Sequence, residues 1–360
     1  MRVVVVGATG NIGTAVLRRL LNTGEVDEIT GVARRLPLET GGPYQGVRWH
    51  TLDVGAPDAA GELTNLFAGA GAVIHLAWQI QPSHDRAQLR RTNITGTANT
   101  IAAAVAASVP TLAVASSAGA YARAPKDTRV DEVWPATGVP GSTYSEDKAD
   151  VEALLDRVEM EHRQMRIIRV RNGLAFQRSA AAEIARLFIG PFAPLGLLRL
   201  GRLPLLPWDS SLRVQAVHSD DVAEAYVRAI LAEARGPFNI AAEPVLDAQT
   251  VGARFHGWAV PTPPLLLRGA AALTWTARLQ PTEPGWIKLA AACPLMSCRR
   301  AERELGWRPR TDALDALAEL LDGMARGEGD GSVPLRERPA APARLLAVAR
   351  GGLPGHPGDD

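Results

Sequence analysis

Short apolar runs alternate with longer amphipathic stretches through the first half of the chain. The longer stretches, above all His84–Ala107 and Ser142–His162, predict helices, while the short runs are almost continuously apolar, as in strands covered on both sheet faces. The predicted strands are Arg2–Val6, Glu28–Ala33, Val47–Leu52, Ala72–Leu76, Thr111–Ser116 and Arg166–Arg171. This alternation predicts an α/β fold with a doubly wound parallel sheet.

The pattern becomes irregular after Asn172, where several prolines between Gly190 and Trp208 exclude a long helix. A strand and helix return over Val214–Glu233, and Pro237–Ala241 predicts another strand. We therefore expect a sheet domain over residues 1–172, rejoined by about residues 213–240, and a smaller, mostly helical C-terminal substrate region over residues 173–212 and 241–326. Residues 327–360 are rich in Gly, Pro and Arg and predict a disordered tail.

Charge and composition favour a small-molecule partner. The formal net charge is +1, from 39 basic and 38 acidic residues, so no overall field attracts nucleic acid or an anionic membrane. The apolar stretch Leu265–Leu279 is interrupted by arginines and is too short to span a bilayer, and no signal peptide precedes the first strand. Cys293 and Cys298 have neither metal-site spacing nor disulfide density, which predicts a reduced, cytoplasmic protein without a metal.

A glycine turn follows the first strand and opens a helix. Gly7, Gly10 and Gly13 would allow a tight turn and close backbone approach, with Asn11 and Ile12 between them. Amides at the start of the helix would point at the pyrophosphate of a dinucleotide. This context predicts a nicotinamide-dinucleotide site, for NAD or NADP.

A second pattern predicts the catalytic pair. Tyr144 and Lys148 are four positions apart, which places both side chains on one face of the predicted helix. A tyrosine that must act as acid or base near neutrality needs a lowered pKa, and an adjacent ammonium favours its phenolate. Lys148 would also reach the nicotinamide ribose.

The Gly-x-x-Gly-x-x-Gly spacing and several later segments resemble the extended short-chain dehydrogenase/reductase family, of the NAD-dependent epimerase/dehydratase type. The resemblance extends to about residue 325 and implies a Rossmann domain, catalysis by Ser117 with Tyr144 and Lys148, and a homodimer. It implies substrate contacts from Ser117, Tyr144 and Asn172. It also implies that Asp53 contacts the adenine of the cofactor. Besides the glycine turn and Asp53, the cofactor contacts that it implies are Val54, Leu76, Ala77, Asn93, Ser116, Tyr144 and Lys148.

Cofactor choice depends on the end of the second strand. An acidic residue there would bind the ribose hydroxyls of NAD, but the chain has Arg34 and Arg35, which suit the 2′-phosphate of NADP. The sequence therefore favours NADP slightly. We expect Arg34 to make this contact and Arg35 to point to solvent.

Three functions remain open. Asn172 and the overall resemblance favour an epimerase acting at a secondary alcohol or ketone carbon, on a nucleotide sugar. Gly173–Phe176 departs from the sugar-nucleotide pattern, and Arg34 favours NADPH, which keeps a ketone or aldehyde reductase as the alternative. A non-catalytic NAD(P) sensor is a second alternative, although sensors lose the tyrosine or lysine. Ala118 and Gly119 replace the acidic pair of dehydratases, which disfavours dehydration.

Overall fold

A computed structural model describes residues 1–80, 85–190, 195–200, 205–209, 211–263, 265–266, 269, 271–273 and 283–337. Its centre is a seven-stranded sheet in the order β11-β7-β5-β4-β1-β2-β3, with every neighbouring pair parallel. The strands are β1 Arg2–Val6, β2 Glu28–Ala33, β3 Val47–Thr51, β4 Ala72–His75, β5 Thr111–Ala115, β7 Arg166–Asn172 and β11 Gly236–Ile240. The doubly wound Rossmann fold that the apolar runs predict is confirmed.

Helices cover both faces of this sheet. One face is closed by α1 and α7, whose apolar residues pack on the strands together with Trp307. The other face is closed by α2, α4 and α5, with Phe67 and Leu155 fully buried beneath them. These helices are α1 Asn11–Leu21, α2 Ala59–Phe67, α4 Gly96–Ala106, α5 Thr143–Glu161 and α7 Ser219–Leu231.

The predicted helix His84–Ala107 is built in three pieces, and His84 itself lies outside the described residues. Helix α3, Arg86–Arg90, leads into a π-helical turn, Arg91–Thr95, and then into α4. A side chain at Gly96 would collide with Val54, and Asn99 donates a hydrogen bond to the Val54 carbonyl at 2.8 Å. The interruption therefore lies where this helix passes over the loop after β3.

A second, smaller region packs at the carboxyl edge of the sheet and includes short paired strands. These are β6 Arg129–Val130 with β13 Leu295–Met296, β8 Leu174–Phe176 with β10 Ala216–His218, and β9 Leu205–Trp208 with β12 Trp258–Pro261. The remaining helices labelled here are α6 Ala181–Ile184, α8 Ala248–Arg254, α9 Pro284–Ala292, α10 Arg299–Leu305 and α11 Ala313–Arg326. Among the described residues no helix is long and apolar enough to cross a membrane.

Residues 328–337 differ from the disordered tail expected from residue 327. Leu335 and Ser332 are fully buried, and the Ser332 hydroxyl donates to the Thr9 carbonyl at 2.8 Å. The Gly331 carbonyl accepts from the Leu38 and Glu39 amides at 2.7 and 3.2 Å. This segment is ordered by backbone and side-chain hydrogen bonds and by the burial of Leu335, which its low apolar content does not predict. Residues 338–360 lie outside the described part of the chain.

Candidate active site

The glycine turn between β1 and α1 is tight enough to hold a dinucleotide close to the backbone. Gly7 has φ +85°, and a Cβ there would lie 2.5 Å from the Ala77 amide nitrogen. A Cβ at Gly13 would collide with the Gly7 carbonyl. The turn lies between β2 and β4, where the strand order reverses direction, the position at which such sheets bind their ligands. These features fit NAD or NADP, whose pyrophosphate the first amides of α1 would face.

Asn11 has a structural role in this arrangement. Its amide donates to the Ala175 carbonyl at 2.9 Å, and its side-chain oxygen accepts from Ser219 at 2.7 Å and from Gln177 at 2.9 Å. Asn11 thus ties the glycine turn to β8 and α7, while Ile12 packs on the apolar core. Gln177, which also donates to the Asn11 carbonyl at 2.7 Å, was not recognised from the sequence.

The loop after β4 brings Leu76 and Ala77 beside this turn. Asn93 holds the loop: its side chain accepts from the Gln79 amide at 2.7 Å and donates to the Gln79 carbonyl at 3.0 Å. His75 is buried and hydrogen-bonds Thr97 at 2.9 Å, and burial, with a smaller effect of the Lys148 charge, lowers its pKa to about 3. Both Asn93 and His75 therefore stabilise segments that border the cleft through buried hydrogen bonds.

Both Arg34 and Arg35 follow β2, and Arg34 lies beside polar and charged side chains. The Arg34 guanidinium lies 3.0 and 3.2 Å from the Gln79 side-chain oxygen, in the amide orientation that satisfies both groups. Burial lowers the Arg34 pKa, while Asp53 opposes this shift. Asp53 in turn pairs with Arg91 at 2.9 Å. Arg34 and Asp53 thus lie together by the loop after β3, where the family resemblance implies the adenine, with Val54 buried behind them.

Ser117, Tyr144 and Lys148 converge at the other end of the cleft. Ser117 follows β5 and accepts a hydrogen bond from the Gly119 amide at 3.0 Å. Helix α5 begins at Thr143, so it carries both Tyr144 and Lys148 on the face towards the ends of β4 and β5. The Lys148 amine donates to the Ala115 carbonyl at 2.8 Å and lies 5.9 Å from the Tyr144 ring centre. The arrangement can move a proton beside a bound cofactor.

Burial shifts the pKa of both Tyr144 and Lys148. It raises the pKa of Tyr144 to about 12, an effect that a hydrogen bond with Ser117 opposes. It lowers the pKa of Lys148 to about 7, with the carboxylates of Glu152 and Asp147 opposing the shift. Lys148 is therefore poised to change charge near neutrality, while the hydroxyl of Tyr144 needs a nearby positive charge to act as a base.

Two tryptophan rings pack against Tyr144, and the sequence analysis did not predict them. Its ring centre lies 4.7 Å from that of Trp286 on α9 and 6.0 Å from that of Trp78. Trp78 also lies beneath the Lys148 amine, 3.4 Å from ring centre to nitrogen, and Phe188 packs edge-on against Trp286 at 5.1 Å. Trp286 comes from the C-terminal region, and no local pattern places it here.

The Ser116 side chain contacts a buried network of ion pairs. Glu152, one helical turn after Lys148, accepts from the Ser116 hydroxyl at 2.5 Å and from two nitrogens of Arg171 at 2.9 and 2.8 Å. Arg169 adds a further contact to Glu152 at 3.1 Å. Hydrogen bonds and charges from these groups lower the pKa of Glu152 to about 2 against the effect of burial.

Asn172 ends β7 next to the end of β5, since the strand register pairs Val170 with Ala115. Its amide donates to the Gly173 carbonyl at 2.7 Å, but its side-chain oxygen is buried without a partner among the described residues. An acceptor of this kind suits a substrate hydroxyl.

The fold and this site define a Rossmann-type protein in which a serine, a tyrosine and a lysine lie together at one end of the cleft that begins at the glycine turn. The chain belongs to the NAD-dependent epimerase/dehydratase family, whose model matches residues 3–241. The resemblance drawn from the glycine turn and the Tyr-x-x-x-Lys pattern is therefore confirmed.

Solved structures of this family share the fold. The UDP-glucose 4-epimerase of Thermus thermophilus, solved with NAD, is 22% identical, with a TM-score of 0.64 over 91% of this chain and 99% of that one. The UDP-glucuronic acid 4-epimerase of Bacillus cereus, also with NAD, is 16% identical with a TM-score of 0.64, covering 91% and 99%.

Among curated proteins, uncharacterized proteins of Mycobacterium tuberculosis and Mycobacterium bovis are 26% identical over 322 residues. The match covers 89% of this chain but 30% of each relative. The chain thus spans about a third of the length of the curated relatives that it matches.

Proposed function

We propose that the chain is an NAD(P)-dependent epimerase that acts on a secondary alcohol carbon of a nucleotide sugar. The convergence of Ser117, Tyr144 and Lys148 beside the glycine turn carries this proposal. Bound NAD or NADP would take up hydride from the substrate carbon and return it. A substrate that is oxidised and then re-reduced needs a group that removes and restores one hydroxyl proton, and a donor that steadies its oxygen.

Each residue has a distinct part in this reaction. The hydroxyl of Tyr144 exchanges the proton with the substrate oxygen, and Ser117 hydrogen-bonds both Tyr144 and that oxygen. Lys148 holds the ribose and, when charged, favours the phenolate of Tyr144. Trp78 and Trp286 keep water from the reacting groups, and the unpartnered oxygen of Asn172 accepts a hydrogen bond from a sugar hydroxyl.

Replacement of Tyr144 by Phe tests this assignment. Proton transfer by a placed side chain contributes roughly a hundred- to ten-thousandfold, so Tyr144→Phe should lose turnover by about that factor. Its affinity for the cofactor should stay within about threefold, because the glycine turn and Lys148 remain. Turnover is followed by NMR of UDP-glucose and UDP-glucuronic acid, which reports the inverted carbon, and cofactor binding by calorimetry.

Tyr226→Phe provides the matched control. The hydroxyl of Tyr226 is buried without a partner among the described residues, so its removal leaves no hydrogen bond broken. Turnover in Tyr144→Phe equal to that of the Tyr226→Phe control would contradict the catalytic assignment.

The alternative, a reductase of ketones or aldehydes, is favoured by the arginines after β2. Such an enzyme consumes NADPH in step with its substrate, whereas an epimerase leaves the cofactor unchanged after each turnover. Absorbance of the reduced cofactor during turnover therefore separates the two functions. A protein that binds dinucleotide but turns over neither class of substrate would instead be a sensor.

A further inference from the structure

Helix α9 packs directly on the candidate active site. The ring of Trp286 lies 4.7 Å from that of Tyr144, measured between ring centres, and is tilted by 35°. One turn further along the helix, Leu289 approaches Gly119, where a Cβ would lie 3.4 Å from the leucine. The same Cβ would lie 2.9 Å from the Tyr144 ring. The Tyr144 ring thus contacts both Gly119 and α9, so the position of the helix bears on that of the ring.

Both ends of α9 are tied to segments that carry the site. At its start, Glu283 accepts a hydrogen bond from the Thr143 hydroxyl at 3.1 Å. At its end, the Cys293 thiol donates to the Ala118 carbonyl at 3.2 Å. Thr143 and Ala118 are the direct sequence neighbours of the proposed catalytic tyrosine and serine. A shift of α9 would therefore reach both of these residues.

The last turn of α9 has a carbonyl that the helix itself cannot satisfy. A helical carbonyl accepts from the amide four positions later, and for Ala290 that position is Pro294, which has no N–H group. The carbonyl of Cys293, at the end of the helix, likewise has no donor within it. Because Ala292 and Pro294 are buried here, both carbonyls need a donor from another part of the chain.

Lys126 supplies this donor. Its amine donates to the Ala290 carbonyl at 2.7 Å and also to the Cys293 carbonyl. A third bond, of 2.8 Å, goes to the Arg213 carbonyl, and the Arg213 guanidinium donates in return to the Lys126 carbonyl at 2.8 Å. All three N–H groups of the ammonium are therefore used, and its charge lies at the negative end of the α9 dipole.

Lys126 is charged at neutral pH although it is partly buried. Burial lowers its pKa to about 8, an effect that Cys293 opposes and that the charge of Arg213 increases. No carboxylate pairs with Lys126 in the described part of the chain, so the backbone carbonyls are the groups that stabilise its charge.

We propose that Lys126 is a positioning residue: by holding the last carbonyls of α9, it keeps this helix packed on Tyr144 and on the turn that follows Ser117. Lys126 acts through α9, since all three of its hydrogen bonds go to backbone carbonyls. The effect on turnover rests on the proposed function, whereas the placement of α9 does not require it.

Hydrogen–deuterium exchange of the full chain tests the placement. Lys126→Met keeps an apolar stem and removes the charged donors, so the amides of α9 should exchange about tenfold faster or more, while those of β1 stay unchanged. Lys288→Met is the matched control, because Lys288 is exposed on α9 and makes no hydrogen bond or ion pair with any residue that the structure describes. Its exchange should equal that of wild type. Equal exchange of α9 in Lys126→Met and in wild type would overturn the proposal.

The kinetic constants separate positioning from a general loss of structure. For the nucleotide sugar that wild type turns over, Lys126→Met should lower kcat about tenfold and change KM less than about threefold, because a misplaced group costs rate rather than binding. Lys126→Arg keeps a charged group with several donors and should recover kcat to within about threefold of wild type.

Trp286→Leu completes a double-mutant cycle. If Lys126 acts through α9, Trp286→Leu alone should also lower kcat, and the double variant should lose little more than either single one. Fully additive losses would overturn the proposal, and so would an unchanged kcat in Lys126→Met.

The two proposals can fail separately. If wild type inverts neither UDP-glucose nor UDP-glucuronic acid, the epimerase proposal fails and the exchange of α9 alone decides the role of Lys126. If wild type turns over one of them but α9 exchanges alike in wild type and Lys126→Met, only the role of Lys126 is lost. Should Lys126→Met not fold, Lys126→Gln replaces it in both measurements, with faster exchange of α9 as the expected result and unchanged exchange as the contradicting one.

Discussion

The two ends of the cofactor cleft are built in different ways. At the nicotinamide end, Ser117, Tyr144 and Lys148 come from one strand end and one helix, and buried groups support them. At the adenosine end, Arg34 follows β2 and is exposed, while Asp53 follows β3 and is partly buried. The first end is held by buried contacts, whereas the loop after β2 at the second end is bordered by residues 328–337, where the Gly331 carbonyl accepts from the Leu38 and Glu39 amides.

Because of this difference, the two ends should tolerate substitutions to different extents. At the nicotinamide end, Glu152 accepts a hydrogen bond from Ser116 and its charge acts on Lys148, so a change at Glu152 affects both groups. Charges at the adenosine end lie close to solvent, where each interaction is weaker. We therefore expect changes at the first end to affect folding and turnover, and changes at the second to affect mainly the choice of dinucleotide.

The largest effect on stability should come from Glu152→Gln. This change removes the carboxylate that neutralises Arg171 in the interior, where both side chains are almost fully buried. Breaking one half of a buried ion pair typically costs about 3–5 kcal/mol in unfolding free energy. Urea unfolding measures this loss.

Asp156→Asn is its control. Asp156 also pairs with Arg169, at 2.5 Å, but its side chain is 63% exposed, so its loss should cost less than about 1 kcal/mol. Equal losses of stability in Glu152→Gln and Asp156→Asn would contradict the idea that the buried ion pair stabilises the protein more than the exposed one.

A smaller effect on stability should follow from removal of residues 327–337. We compare a chain that ends at Arg326 with one that ends at Glu337, so that both lack residues 338–360. Loss of Leu335 exposes one buried side chain and its packing surface, which is worth about 2 kcal/mol. Urea unfolding of the two chains gives the difference directly. Unchanged stability would mean that residues 327–337 do not pack on the domain, as a disordered tail would not.

The sheet and the catalytic helix could be predicted because their signals are local. The strands Arg2–Val6 and Glu28–Ala33 have the predicted bounds, and the helix predicted at Ser142–His162 is α5, Thr143–Glu161. Continuous apolar runs and a spacing of four residues depend only on near neighbours along the chain. The glycine turn could likewise be recognised from its local spacing, although the reason Gly7 cannot carry a side chain, its approach to Ala77, is a contact between distant segments.

The rest of the site depends on contacts between distant segments. Trp286 reaches Tyr144 from α9, and residues 328–337 are held by backbone hydrogen bonds, by the side chains of Ser332 and Asp330, and by contacts of the buried Leu335. Glu152 is the exception, since a carboxylate one turn after Lys148 lies on the same helix face and could have been inferred. The arginine pair after β2 indicated a phosphate, but its local sequence cannot tell which arginine would meet it.

The smallest predicted effect, on dinucleotide affinity, distinguishes the role of Arg34 from that of Arg35. Arg34 contacts Gln79 and lies beside Asp53, where the adenine is expected, whereas Arg35 is exposed after the end of β2. Arg34→Ala should therefore weaken NAD and NADP alike, by about threefold, and Arg35→Ala should weaken NADP alone by a similar factor, because both groups are partly screened by solvent. Calorimetry with both dinucleotides at fixed ionic strength measures the four affinities. If Arg34→Ala abolishes the preference for NADP and Arg35→Ala leaves it intact, Arg34 is the phosphate contact, as the sequence suggested, and Arg35 points to solvent.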